Sequence, residues 1–96
     1  MPHYVAIIED AGPDRAVGGW FPDLPGCTSA GDDIDEALRN GPEALELYAD
    51  AIKEDGKSLP RPRTLTELKA DPGIADDLKA HMVALIELRA RAHPAE

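Results

Sequence analysis

Residues 27–56 read CTSAGDDIDEALRNGPEALELYADAIKEDG, and the hydrophobic period changes inside them, at Asp32. Beyond that point Ile34, Ala37, Leu38, Leu45, Tyr48, Ala49 and Ile52 follow the i, i+3, i+4, i+7 spacing of one helical face. A helix is therefore expected, capped by Asp32 or Asp33 and closed at Gly56 by a left-handed turn. Asp35 and Glu36 suit the positive end of its dipole. Gly41-Pro42 falls in the middle, where proline removes a backbone hydrogen bond. The apolar register continues on both sides of it, so one bent helix is expected rather than two. The opposite face carries Asp35, Glu43, Glu46, Asp50 and Glu54, a solvated acidic stripe.

Working outward, the residues before Asp32 read as short strands separated by turns. Tyr4 to Ile8 is a short apolar run with β-branched residues, closed by Glu9-Asp10-Ala11-Gly12-Pro13-Asp14. Arg15 to Phe21 resumes as a second strand, and Gly18-Gly19 within it indicates a bulge or a close backbone approach. Pro22-Asp23-Leu24-Pro25-Gly26 is dense turn chemistry, and Cys27 to Gly31 is a short third strand. After the helix, Leu59 to Arg63 is an extended, proline-fixed connector. Thr64 caps a helical turn over Leu65 to Ala70, the Asp71-Pro72-Gly73 turn breaks it, and Ile74 to Ala80 adds another turn. His81 to Arg89 reads best as a strand buried on both sides, with a helix continuing from Asp76 as its rival. The tail from Ala90 to Glu96 is expected to fray.

The order is β-β-β-α-β, an α+β single domain with one long helix. A strand that follows a helix returns by a right-handed crossover, so the last strand is expected parallel to the first, in a mixed sheet of order 3-2-1-4. The first and last strands look apolar on two faces while one long helix covers only one. Either the 61–80 segment or another subunit must cover the second face, which argues for a homo-oligomer.

Composition narrows the function. Ninety-six residues make one small domain, and 43 % apolar residues with 4 % aromatics imply a folded, mostly aliphatic core. No apolar run reaches membrane-spanning length and no signal peptide is visible, so a cytoplasmic protein without membrane contact is expected. The net charge is −9, and residues 1–60 carry 13 acids against 4 bases. Such an acidic half argues against binding a phosphate backbone and is compatible with a basic protein partner. It is equally what solubility alone would give.

No catalytic motif emerges. There is no phosphate-cradling glycine loop, no HExxH and no nucleophile elbow. His3 and His81 start strands expected to be parallel neighbours, yet two histidines without a third ligand make no metal site, and His93 is remote in sequence. Glu9, Asp10, Asp14 and Asp23 merit comparison with a metal-dependent nuclease cluster, but each sits in or beside a turn and reads as a turn residue. Cys27 has no histidine or lysine near it in sequence to activate it and reads as a half-buried strand residue. Trp20 and Phe21 are adjacent on a strand and face opposite ways; one enters the core and the other covers the second face or anchors a partner. No cofactor and no catalytic or metal-binding residue is expected.

From Trp20-Phe21-Pro22-Asp23-Leu24-Pro25-Gly26-Cys27-Thr28-Ser29-Ala30-Gly31-Asp32, through Glu36-Ala37-Leu38 and Ala44-Leu45-Glu46-Leu47-Tyr48, to Gly56-Lys57-Ser58-Leu59-Pro60-Arg61-Pro62, the chain resembles the HicB antitoxins. The resemblance covers about residues 4–63. It implies a β-β-β-α-β domain, a degraded ribonuclease H-like fold without its catalytic carboxylates. It further implies a protein that neutralises a small basic HicA-type toxin, an mRNA-cleaving ribonuclease. Many relatives carry a C-terminal DNA-binding domain. Here 33 residues follow Arg63, part of them in the last strand, so residues 1–96 are expected to be one antitoxin domain (core about 3–89) with no separate DNA-binding unit and no direct contact to nucleic acid. A solitary binding or regulatory module of the same fold, without a toxin, is the alternative. The expected contact residues are Asp23, Leu24, Glu43, Glu46, Asp50 and Glu54, and a dimer or tetramer is expected.

Overall fold

The segments before Asp32 form strands β1 (His3–Glu9), β2 (Val17–Trp20) and β3 (Thr28–Gly31) in a computed structural model that describes residues 2–10 and 12–89. Helix α1 spans Ile34–Glu54 without interruption at Pro42. Its N-cap is Asp33, whose carboxylate accepts from the Glu36 amide at 2.8 Å. Short helices α2 (Leu65–Lys69) and α3 (Pro72–Ala80) follow, then β4 (Met82–Glu87). Asp71-Pro72-Gly73 ends one helix and starts the next: Asp71 caps α3 through the Gly73 amide at 2.9 Å, with Pro72 in the first turn. The expectation of a frayed tail, and His93 with it, lies outside the described residues.

The sheet order is β3-β2-β1-β4. Every neighbouring pair is antiparallel, β1 with β4 included, from His3 opposite Glu87 to Ile8 opposite Met82. The parallel last strand and the mixed sheet expected from the crossover rule are therefore corrected. That rule applies to a chain that leaves the sheet and returns in one pass. Here α1, about 30 Å long at 1.5 Å per residue, starts beside the end of β3. Residues 55–80 then carry the chain back to that same end, where β4 begins beside Ile8 and runs the other way. As a result His3 and His81 lie at opposite ends of the β1–β4 pair rather than side by side; His3 faces Glu87, at 3.7 Å.

Side-chain alternation sorts the two faces. Tyr4, Ala6 and Ile8 pack with Val17, Phe21, Leu24, Cys27 and Ile86 against Ala37 and Leu45 of α1. Two glycines bring the helix this close. A Cβ at Gly31 would stand 2.5 Å from the Ala37 nitrogen, so that position has no room for a side chain, and one at Gly41 would press on the Ile86 side chain at 3.1 Å. On the opposite face Val5 and Ile7 are as fully buried as Leu68 of α2, and α3 packs on β4. Val5 and Ile7 are thus buried within one chain, while Leu85, opposite Val5 on the same face, stays 64 % exposed.

Candidate partner-binding surface

One helix presents most of what this chain could offer a partner. Ala37, Gly41, Leu45 and Ala49 are its buried stripe. At 3.6 residues per turn, Glu43, Asp50 and Glu54 fall on the opposite side, with Glu46 beside them. Glu43 and Glu54 are exposed, whereas Glu46 and Asp50 are half-buried. Six acids against Arg39 and Lys53 make the helix net negative and give it nearly half of the chain's excess. At the border of this stripe, one turn from Glu43 and Asp50, Leu47 is 53 % exposed. It borders a shallow groove of about 320 Å³ with Ala44, Tyr48, Gly26, Cys27 and Thr28. An apolar side chain with carboxylates along one side and a shallow groove along the other has the anatomy of an interface contact with a charged rim. Leu47 was missed as a contact candidate from the sequence, although an apolar residue out of phase with the helix's core face is a legible sign.

Asp23 and Leu24, expected at the same surface, face inward. Leu24 is 1 % exposed and belongs to the core under α1. The Asp23 carboxylate, 6 % exposed, accepts from the Arg63 backbone N–H at 2.8 Å and from Arg63 Nε at 2.6 Å. Arg63 reaches on to Asp71 at 3.0 Å, and this hydrogen bond holds the Asp71 carboxyl below its ordinary range. Asp23 therefore clasps the returning segment to the β2–β3 turn. Two tyrosines brace the same region: Tyr4 donates to the Pro60 carbonyl at 2.6 Å, and Tyr48 to the Pro25 carbonyl at 3.0 Å.

Two more of the candidate carboxylates have structural partners. Glu9 accepts from Trp20 Nε1 at 2.7 Å, and Asp10 accepts from the Gly12 amide at 3.0 Å, an Asx-type turn. Trp20 is half-buried on the face away from α1, while Phe21 enters the core. Asp10, Asp32, Asp33 and Asp35 rim a hollow of about 500 Å³ where the β1–β2 turn meets the start of α1. Among the described residues, however, no three His, Cys, Asp or Glu side chains are grouped to hold a metal ion. Cys27 is 4 % exposed, and burial pushes its thiol up to about 11, so it is a neutral packing group at neutral pH. Among the described residues no helix is long and apolar enough to cross a membrane.

Comparison with known proteins agrees with this arrangement. The family model described as the HicB_like antitoxin of bacterial toxin-antitoxin systems matches residues 4–94. The chain is similar to the Burkholderia pseudomallei antitoxin HicB, with a TM-score of 0.73 at 24 % identity over all of this chain and 74 % of that one. It is also similar to a chain of a HicA3 and HicB3 toxin-antitoxin complex, with a TM-score of 0.67 at 24 % identity over 88 % of this chain and 95 % of that one. These structural likenesses concern the fold. In sequence it is 36 % identical over 55 residues to an uncharacterised 14.9 kDa protein of Haemophilus phage HP1, covering 57 % of this chain and 41 % of that protein. The chain thus spans less than half the length of that phage relative. With a match over nearly its whole length and the fold to accompany it, the chain belongs to the HicB-like antitoxin family of bacterial toxin-antitoxin systems.

Proposed function

We propose that this chain is a non-catalytic cytoplasmic antitoxin that neutralises a small basic HicA-type ribonuclease by covering its RNA-binding surface with the acidic side of α1. The observation that carries this is the exposed Leu47 bordering the stripe of Glu43, Glu46, Asp50 and Glu54 on one 21-residue helix. A toxin that grips RNA must present cations, and opposite potentials steer the two proteins together and fix their register. Leu47 supplies the apolar contact whose burial slows dissociation. Residues 3–89 act as one binding unit in this reading. The solved complex of HicA3 with HicB3 shows that a relative of this fold engages such a toxin.

The test is RNA cleavage by a purified HicA-type toxin encoded beside this chain, titrated with wild type and with Glu43→Lys/Glu46→Lys/Glu54→Lys. Wild type is expected to abolish cleavage near one equivalent. The variant is expected to need at least tenfold more protein, with the gap narrowing as salt screens the charges. Equal inhibition by both proteins would remove the helix from the interface. An absence of inhibition by wild type would favour the solitary binding module.

A further inference from the structure

We propose, on the antitoxin reading of α1, that the toxin engages this surface with an extended segment of its own. That segment adds a strand to the free edge of β3 and seats an apolar side chain in the groove beside Leu47. Among the described residues β3 pairs only with β2, so its other side is open. The phase of the sheet's hydrogen bonds decides what that side offers. The Leu88 amide donates to the Pro2 carbonyl at 2.9 Å, and bonded and non-bonded pairs alternate along an antiparallel ladder. Tyr4, Ala6 and Ile8 therefore spend their backbone groups on β4, while Ile7 and Glu9 spend theirs on Trp20 and Gly18 of β2. One strand further, Ser29 and Gly31 bond to β2, and Thr28 and Ala30 aim their N–H and C=O outward. Asn40 agrees with this phase, since its side-chain nitrogen donates to the Ala30 carbonyl at 2.8 Å. The Thr28 N–H, the Thr28 C=O and the Ala30 N–H have no partner outside the ladder among the described residues. No charge or proline protects the strand, which reads TSAG.

The open edge and the groove lie side by side. Ser29 faces α1, its hydroxyl donating to the Ala37 carbonyl at 2.9 Å, and Cys27 in the same row has its sulfur 3.8 Å from the Ala44 carbonyl. A strand laid on this edge keeps the alternation, so its residues opposite Cys27 and Ser29 point toward α1 and those opposite Thr28 and Ala30 point away. The first of these inward positions meets the groove of about 320 Å³ that Ala44, Leu47 and Tyr48 form with Gly26, Cys27 and Thr28. It takes one aliphatic side chain. The next, opposite Ser29, comes toward Asn40 and exposed Glu43, which stand one helical turn apart. A lysine or arginine belongs there. Main-chain bonds along the edge supply affinity, and the alternating groove and carboxylate supply specificity. The occupant is thus an edge strand of a basic protein, with an apolar residue and a cation two positions apart. A second copy of this chain is the wrong occupant, because its edge strands TSAG and MVALIE carry no cation and its net charge is −9.

Amide hydrogen exchange on the full chain, alone and with a purified HicA-type toxin encoded beside it, tests the proposal. The Thr28 and Ala30 amides are expected to slow roughly tenfold or more in the complex, while the Ser29 amide, already bonded to β2, changes little. Thr28→Pro removes only an outward N–H at an edge position that tolerates proline. It is expected to melt as wild type does and to bind the toxin at least tenfold more weakly. Thr28→Val keeps the backbone and alters a side chain on the face away from α1, so it is expected to bind as wild type does. If Thr28→Pro fails to fold, the contrast between the Thr28 and Ser29 amides decides alone. Thr28 and Ala30 amides that exchange as fast in the complex as in the free chain would overturn the pairing, as would full binding by Thr28→Pro. If Glu43→Lys/Glu46→Lys/Glu54→Lys still weakens the complex in that case, the helix reading stands without the added strand. Protection of the same amides on concentrating the chain without toxin would give the edge to a second copy and overturn the proposal. A wild type that binds no toxin would remove both the strand and the helix reading.

Discussion

Asp23 shows how far a residue's neighbours in sequence can mislead. Within Pro22-Asp23-Leu24-Pro25-Gly26 it reads as a turn aspartate free to meet a partner. Its actual partner, Arg63, lies forty positions away, and no local pattern announces it. Leu24 misleads for the same reason, since a turn leucine gives no sign that α1 will close over it. Asp23→Ala is expected to loosen the return segment, seen as faster hydrogen exchange at the Arg63 amide while the α1 core stays protected. Leu24→Ala removes a fully buried side chain and is expected to cost about 2–5 kcal/mol in denaturant unfolding. Cys27 yields a third expectation. A neutral thiol under 5 % exposed does not react with a thiol reagent at neutral pH until the chain is unfolded. Fast labelling of the native protein would contradict that environment.

At the level of elements, short apolar runs between turn residues revealed the strands, and the 3.6-residue period revealed the long helix because it buries one regular face. The direction of β4 was hidden. Residues 55–80 read as a connector with two helical turns, and nothing in their pattern says that they make a complete second pass along the sheet. That pass is held by its caps. Thr64 and Glu67 form a capping box, with the Thr64 hydroxyl accepting from the Glu67 amide at 3.1 Å and the Thr64 amide donating to Glu67 at 2.9 Å. Arg61 adds two hydrogen bonds to the same carboxylate, at 2.8 and 3.2 Å. Chiefly through the Arg61 bond, and then the Thr64 amide, the Glu67 carboxyl is held down to about 2 from its ordinary 4.5. A carboxyl whose folded value lies below its unfolded one contributes stability above the unfolded value, and that contribution fades as pH falls through the folded one. Thermal stability is therefore expected to decline between about pH 4.5 and pH 2, less steeply in Glu67→Gln. A carbon-detected titration placing Glu67 near its ordinary value would contradict the box.

For the molecule as a whole, the legible part of the function was its charge, because an acidic stripe on a helix is written in local spacing. Where that charge stands relative to an apolar anchor was not legible. Leu47 becomes the centre of the surface only once α1 is seated by Gly31 and Gly41 and the groove beside Tyr48 is formed. The folded chain therefore buries Val5 and Ile7 on one face of the sheet and the α1 core on the other, and turns the acidic side of the helix outward. The central claim is that the helix side receives a small basic toxin. The most direct test is capture from native cell extract with wild type and Glu43→Lys/Glu46→Lys/Glu54→Lys as paired baits, the captured proteins being identified by mass. The account predicts a basic partner of under about 100 residues, the range of one small domain, held by wild type and lost from the variant. Such a partner held equally by both baits, or repeated capture of nothing but the chain itself, would contradict it.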